Sequence, residues 1–287
     1  MINVSSAVIL CNIYDNRFAL VKLSIKIKFA GMSGMKITFL GTGTSQGVPV
    51  IGSTHEVCLS LDPRDKRLRS SIKIEWGDQV YVIDCGPDFR QQMLNSGTQR
   101  LDGILFTHYH ADHTAGLDDV RSFSLRQGYV DVYADSDVIA NLKERFGYIF
   151  ATVNRYAGAP NLRVSEFENA PFMLANKKVI PVEVMHGRTR VFGFRIDDFA
   201  YITDAKEVSQ PEREKLKNLD VLVVNALRIE PHSTHFNLEE ALEFTESLRP
   251  KKAYFTHISH RLGFHEKVSK DLPENVFLAY DGLSLEL

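Results

Sequence analysis

An α/β fold is predicted for this chain by three observations: strand-length apolar runs recur along it, helical patterns fall between those runs, and 44% of its 287 residues are apolar. The first two describe alternating strands and helices. The third supplies enough apolar surface for a sizeable core, which excludes disorder as the main state. Segment 1–34 stands apart: its short apolar stretches are broken by polar residues, and Ala30-Gly31-Met32-Ser33-Gly34 interrupts it before Met35. It lacks the charged start, continuous apolar stretch and cleavage site of a secretory signal, and reads as an upstream extension or an added strand. Residues 35–287 show no repeat, low-complexity tract or linker and read as one domain, with one large sheet or two.

Within that domain KITFL opens the first buried strand at Lys36, and SIKIEW, VYVID and GILFT follow, with a helical pattern over 88–95 between the last two. VDVYA precedes a helical pattern over 136–146. VIPVEVM, FGFRI and AYIT come in close succession, and a pattern over 210–217 leads into VLVVN. Asn237, followed three residues later by Glu240, resembles a capping box opening a helix over 237–248; AYFT and VFLAY complete the strands.

Charge and cysteine usage narrow the partners. Lys+Arg 34 against Asp+Glu 36 leaves a net charge of -2, so there is no global basic field for nucleic acid. No apolar run approaches the roughly 18–20 residues that cross a bilayer, which argues against a membrane partner. Cys11, Cys58 and Cys85 are odd in number and widely spread, as in a reducing, cytoplasmic setting.

The chemistry is concentrated in Ile104-Leu105-Phe106-Thr107-His108-Tyr109-His110-Ala111-Asp112-His113. A buried strand ends at Thr107. Residues two apart in extended chain face the same way, so His108 and His110 can grip one ion. Asp112 and His113 fall where the chain turns into a helix, which swings them toward a second ion. Imidazole and carboxylate suit zinc, manganese or iron. Three later residues, His186, Asp204 and His257, each lie just past a strand-like run, where α/β folds assemble sites.

The pattern His-x-His-x-Asp-His, then a lone His, Asp and His after successive strands, resembles the metallo-β-lactamase superfamily from Met35 to the C-terminus. The resemblance implies a four-layer αββα sandwich with two divalent ions, zinc or manganese, at one edge. It implies that His108, His110 and His186 hold one metal, that Asp112, His113 and His257 hold the other, and that Asp204 bridges them. Asp84, closing VYVID, matches an early Asp that orients the ligand loop.

Finer motifs, Gly41 to Pro49, Gly86-Pro87-Asp88-Phe89-Arg90, Gly116-Leu117-Asp118-Asp119-Val120-Arg121 and Pro231-His232-Ser233-Thr234-His235, are similar to the phosphoribosyl 1,2-cyclic phosphate phosphodiesterase group. That likeness implies hydrolysis of small phosphodiesters, cyclic ones among them, by a metal-bridging hydroxide. Asp112 and His235 would be the catalytic residues, His235 protonating the leaving oxygen, and the protein would form a homodimer. The group also carries a structural zinc on three cysteines and a histidine. Here Ser53, His55 and Cys58 stand in the cysteine places and His260 in the histidine place, leaving His55, Cys58 and His260 for an altered site. His232 reads as a loop residue, and Arg64, Lys66, Arg67 and Arg69 as a solvated charge run. The alternatives are a thioesterase or lactonase on the same centre, or a ribonuclease Z, which the near-neutral charge and lack of a basic insertion argue against.

Overall fold

The computed structural model describes residues 34–287, which form one compact unit. The expectations placed on the leader, and Cys11 with them, lie outside the described residues.

Two sheets of seven strands organise the fold. The first contains β1 (Lys36–Gly41), β2 (Ser71–Trp76), β3 (Gln79–Ile83), β4 (Gly103–Leu105), β5 (Val130–Ala134) and β6 (Leu162–Glu166). The second contains β7 (Phe172–Leu174), β8 (Lys177–His186), β9 (Thr189–Ile196), β10 (Phe199–Tyr201), β11 (Val221–Asn225), β12 (Lys252–Thr256) and β13 (Val276–Leu278). The chain then returns to the first sheet, where β14 (Ser284–Glu286) pairs antiparallel with β1. Strands β3 to β6 run parallel to one another, as do β10 to β13.

The period-2 alternation of each strand explains the layering. In β3, Tyr81 and Ile83 face the core between the sheets while Val82 faces outward; in β11, Val221 and Val223 face that core while Leu222 and Val224 face the other way. Both faces of β11 are therefore covered, which is why VLVVN shows no polar alternation. Phe89 and Met93 from helix Phe89–Asn95, Phe123 from Arg121–Gln127 and Val138, Ile139 and Leu142 from Ser136–Arg145 cover the first sheet. Ala241 and Phe244 from helix Leu238–Leu248 pack on the second. Helix, sheet, sheet, helix is the predicted four-layer sandwich.

The Asn237–Glu240 capping box forms with both reciprocal bonds, at 3.0 Å each. The helical pattern over 210–217 yields a helix only at Gln210–Glu214. Strands β6, β7 and β14 were not predicted: β6 is an edge strand with four of its five residues exposed, and β7 and β14 have three residues each.

Candidate metal centre

β3 and β4 are neighbouring parallel strands with Ile83 level with Leu105, so the chains leaving them run side by side. Asp84, the first residue past β3, is fully buried with φ 65°. Its carboxylate accepts the Thr107 backbone N–H at 2.9 Å and the Thr107 hydroxyl at 2.9 Å, and lies 2.7 Å from Nδ1 of His113. Thr107 Oγ1 in turn lies 3.0 Å from Nδ1 of His108. With their Nδ1 atoms engaged, His108 and His113 turn Nε2 toward the rim. His110 is the extended N-cap of the short helix Ala111–Thr114, which carries Asp112 and His113, as the sequence predicted. Nε2 of His108 and Nδ1 of His110 converge to 3.0 Å.

Glycine lets the two loops press together. A β-carbon on Gly86 would fall 2.0 Å from the Asp112 carbonyl oxygen. The absence of that carbon permits the Cys85 N–H to bond the His113 carbonyl at 2.8 Å.

The second sheet delivers the remaining residues from strand ends. β8 and β9 form a hairpin with His186 opposite Thr189, and His186 Nδ1 donates to the Thr234 carbonyl at 2.8 Å. Asp204 lies three residues past β10 and His257 one residue past β12, both with φ 55°. Left-handed backbone costs a residue with a β-carbon ~1–3 kcal/mol and collects at functional sites; Asp84, Asp204 and His257 all adopt it. The Gly-rich segment braces His257 by backbone bonds, Ile258 N–H to the Thr42 carbonyl at 2.9 Å and Thr44 N–H to the Ile258 carbonyl at 3.1 Å.

Asp204 stands between imidazoles from the two sheets. Its Oδ2 is 3.3 Å from Nε2 of His113 and its Oδ1 is 3.2 Å from Nε2 of His257. Burial alone would raise this carboxyl, but His257 and His113 pull it well below the ordinary carboxylate range. Asp112 follows the same rule: burial opposes, and His113, 3.1 Å away, wins. His113 is held well above its ordinary value, since Asp112, Asp204 and Asp84 outweigh burial, whereas burial and neighbouring His113 push His108 well below.

Whether a metal suits these residues is tested by orphaned atoms. Nε2 of His113 and Nε2 of His257, although 3.1–3.3 Å from carboxylate oxygens, and Nδ1 of His235 are buried without a formed hydrogen bond, a costly state unless another group engages them. Ligand atoms gather within 4.8 Å in three groups: His108, His113 and Asp204; Asp112, His113 and His257; and His186, Asp204 and His235. This donor set suits a divalent ion. The groups cut across the triplets implied earlier, because His113 and Asp204 are each shared between two of them and His235 joins His186.

His235 is buried, with Nδ1 3.7 Å from Oδ1 of Asp204 and its ring 4.4 Å from that of His186 and stacked at 4.9 Å on that of His257. His232, half-buried, bonds only its own loop, at Thr234 N–H. At the altered third site the rings of His55 and His260 meet edge to face at 4.8 Å, and Nδ1 of His260 is buried without a partner. Cys58 packs among Val48, Val57 and Phe264. Among the described residues no three-ligand group within 4.8 Å includes His55, Cys58 or His260.

The basic cluster departs from expectation. Arg67 is buried, not solvated: its guanidinium donates to Thr42 Oγ1 at 2.8 Å and the Ala279 carbonyl at 2.6 Å, and lies 3.1 Å from Nδ1 of His265. Arg64 pairs with Asp62, Arg69 with Asp88, and Lys66 donates to the Cys58 carbonyl. Sequence reading also missed Asn225, a fully buried polar residue at the end of β11. Its one signal is an amide closing an otherwise apolar run.

Comparison with known proteins places these features in context. Residues 80–258 match the β-lactamase superfamily domain. A solved structure described as a new diphosphatase from the PhnP family is 41% identical, covers 88% of this chain and 97% of that one, and superposes with a TM-score of 0.83. An octanoyltransferase of Porphyromonas gingivalis is 38% identical over 253 residues, 87% of this chain and 51% of that protein. A ribonuclease Z of Archaeoglobus fulgidus is 33% identical over 119 residues, 39% of this chain and 34% of that protein. The chain thus spans about half the length, or less, of these two curated relatives. No helix among the described residues is long and apolar enough to cross a membrane.

Proposed function

Because the chain belongs to the β-lactamase superfamily, we propose that it is a metal-dependent phosphoric diester hydrolase acting on small phosphodiesters, cyclic ones among them. His108, His110 and His186 hold one divalent ion, Asp112, His113 and His257 hold the second, and Asp204 bridges. When bound, a pair of zinc or manganese ions supplies a hydroxide at neutral pH and neutralises charge on phosphoryl oxygens.

The remaining tasks fall to the chain itself. Asp84 holds His113, and the Thr234 carbonyl holds His186, each by fixing Nδ1 and so the tautomer. His235 is the observation that carries the proposal: a buried imidazole outside the assigned ligand set, beside Asp204, is suited to protonate a departing alkoxide. Burial pushes this ring down to about 3 against the opposing pull of Asp204, with His257 and His186 adding to the fall. To act as an acid the ring must gain a proton, which an anionic phosphodiester held beside it favours.

Support comes from the PhnP-family diphosphatase, similar over nearly its whole length. The test is an assay of zinc- or manganese-loaded protein on bis(p-nitrophenyl) phosphate, a small cyclic phosphodiester, a thioester, a lactone and a tRNA precursor. Phosphodiesters should be turned over best. Much faster turnover of the thioester or lactone would overturn the proposal in favour of acyl chemistry, and cleavage of the tRNA precursor alone in favour of a nuclease. The same reading keeps a third, zinc site at His55, Cys58 and His260, supported by the approach of the two imidazoles.

A further inference from the structure

The chains leaving β3, β4, β8, β10 and β12 all reach the candidate centre. β11 lies between β10 and β12, ends level with β12 and two residues beyond β10, and contributes no assigned ligand. Its last residue is Asn225, opposite Thr256, the residue before His257.

The Asn225 carboxamide is spent entirely on the residue after Asp204. Oδ1 accepts the Ala205 N–H at 2.7 Å, and Nδ2 donates to the Ala205 carbonyl at 3.0 Å. These bonds stand where a strand ladder has stopped. β10 and β11 pair through Tyr201 and Val223, the Ile202 N–H still reaches the Val223 carbonyl at 2.8 Å, and then the backbone bends to φ 55° at Asp204. A bent backbone cannot continue the ladder, and the buried Ala205 N–H would go unpaired. The side chain of Asn225 supplies its acceptor and adds a donor to the Ala205 carbonyl. The Ala205 carbonyl also accepts the Phe236 N–H at 2.7 Å, and Phe236 follows His235. One peptide carbonyl thus joins the turn that carries Asp204 to the loop that carries His235.

We infer that Asn225 is a positioning residue: it holds Asp204 in its left-handed conformation and, through Ala205, sets the spacing between Asp204 and His235. The inference rests on Asp204 being the bridging ligand. Asn225 touches neither substrate nor ion, and acts only through the backbone it clamps.

The test compares wild type with Asn225→Asp, which keeps shape and acceptor but sets an oxygen against the Ala205 carbonyl, and Asn225→Ser. Melting of chelator-stripped protein, zinc affinity by competition with a chromophoric chelator, and kcat and KM on bis(p-nitrophenyl) phosphate are measured on each. Expected is a ~10–100-fold loss of affinity for at least one zinc, with kcat falling more than KM changes. A folded variant with wild-type zinc affinity and kcat, and only a lower melting temperature, would overturn the role. In wild-type protein, the Ala205 and Phe236 amides should resist hydrogen exchange whether zinc is stripped or loaded; exchange of Ala205 at an open-loop rate in stripped protein would overturn it independently of any variant. Asp204→Asn is run in parallel. If that variant keeps both zinc ions, the bridging assignment fails; if it loses one while the Asn225 variants keep both, only the clamp fails.

Discussion

Oδ2 of Asp84 and Nδ1 of His113 lie 2.7 Å apart with both residues fully buried, so the carboxylate decides which nitrogen of that imidazole carries the proton. Asp84 accepts from Thr107 twice as well, leaving no place for a donor. Asp84→Asn keeps the shape and inserts an N–H₂ group against Thr107 or His113. Metal affinity should fall by ~10–100-fold, read by chelator competition. Unchanged affinity in the folded variant would show that His113 needs no such partner.

His235→Ala should discriminate between leaving groups. An alkyl phosphodiester, whose alkoxide needs a proton, should slow by ~10²–10⁴, while a p-nitrophenyl ester should be nearly spared. Equal losses on the two substrates would assign His235 to holding phosphate or metal instead.

The pair Arg67 and His265 predicts an acid sensitivity away from the centre. Burial, then the charges of Arg67 and Arg64, push His265 down to about 4. Between its ordinary value near 6.5 and that figure, the unfolded chain binds a proton that the folded chain refuses. Stability should therefore be lost as pH falls from about 6.5 to about 4 and regained as it rises. His265→Asn removes the titration and can retain an acceptor for Arg67. Melting curves of chelator-stripped protein across that window should be flatter for the variant than for wild type; parallel curves would place the acid sensitivity elsewhere.

Cys58→Ser examines the altered third site. Zinc content should drop by about one ion per chain and the melting temperature should fall, with the other two ions retained. An anomalous scattering map above the zinc edge with no peak among His55, Cys58 and His260 would reduce these residues to loop packing.

The centre was legible in the sequence because His108, His110, Asp112 and His113 are nearly consecutive and the later residues follow apolar strands. Arg67 was misread because a charge run does not reveal which member has partners inside: Arg67 reaches Thr42, the Ala279 carbonyl and His265, while Arg64 and Arg69 pair with Asp62 and Asp88 nearer the surface. Edge strand β6 escaped because exposure removes the apolar run that marks a strand. Asn225 escaped because a side chain that bonds backbone leaves no spacing pattern. The Asn237 cap was readable because its partner Glu240 lies on the same turn.

The division of the proposed ligands between the two sheets bears on when the protein can take up metal. His108 and His257 are 149 positions apart in the chain, and the last of them is in place only once β12 has paired with β11. Contacts that distant form late, after the entropy of closing a long loop has been met. A cage completed after the folding barrier is crossed would let metal reward only the finished molecule. Added zinc should leave the refolding rate where it was and act almost wholly by slowing unfolding.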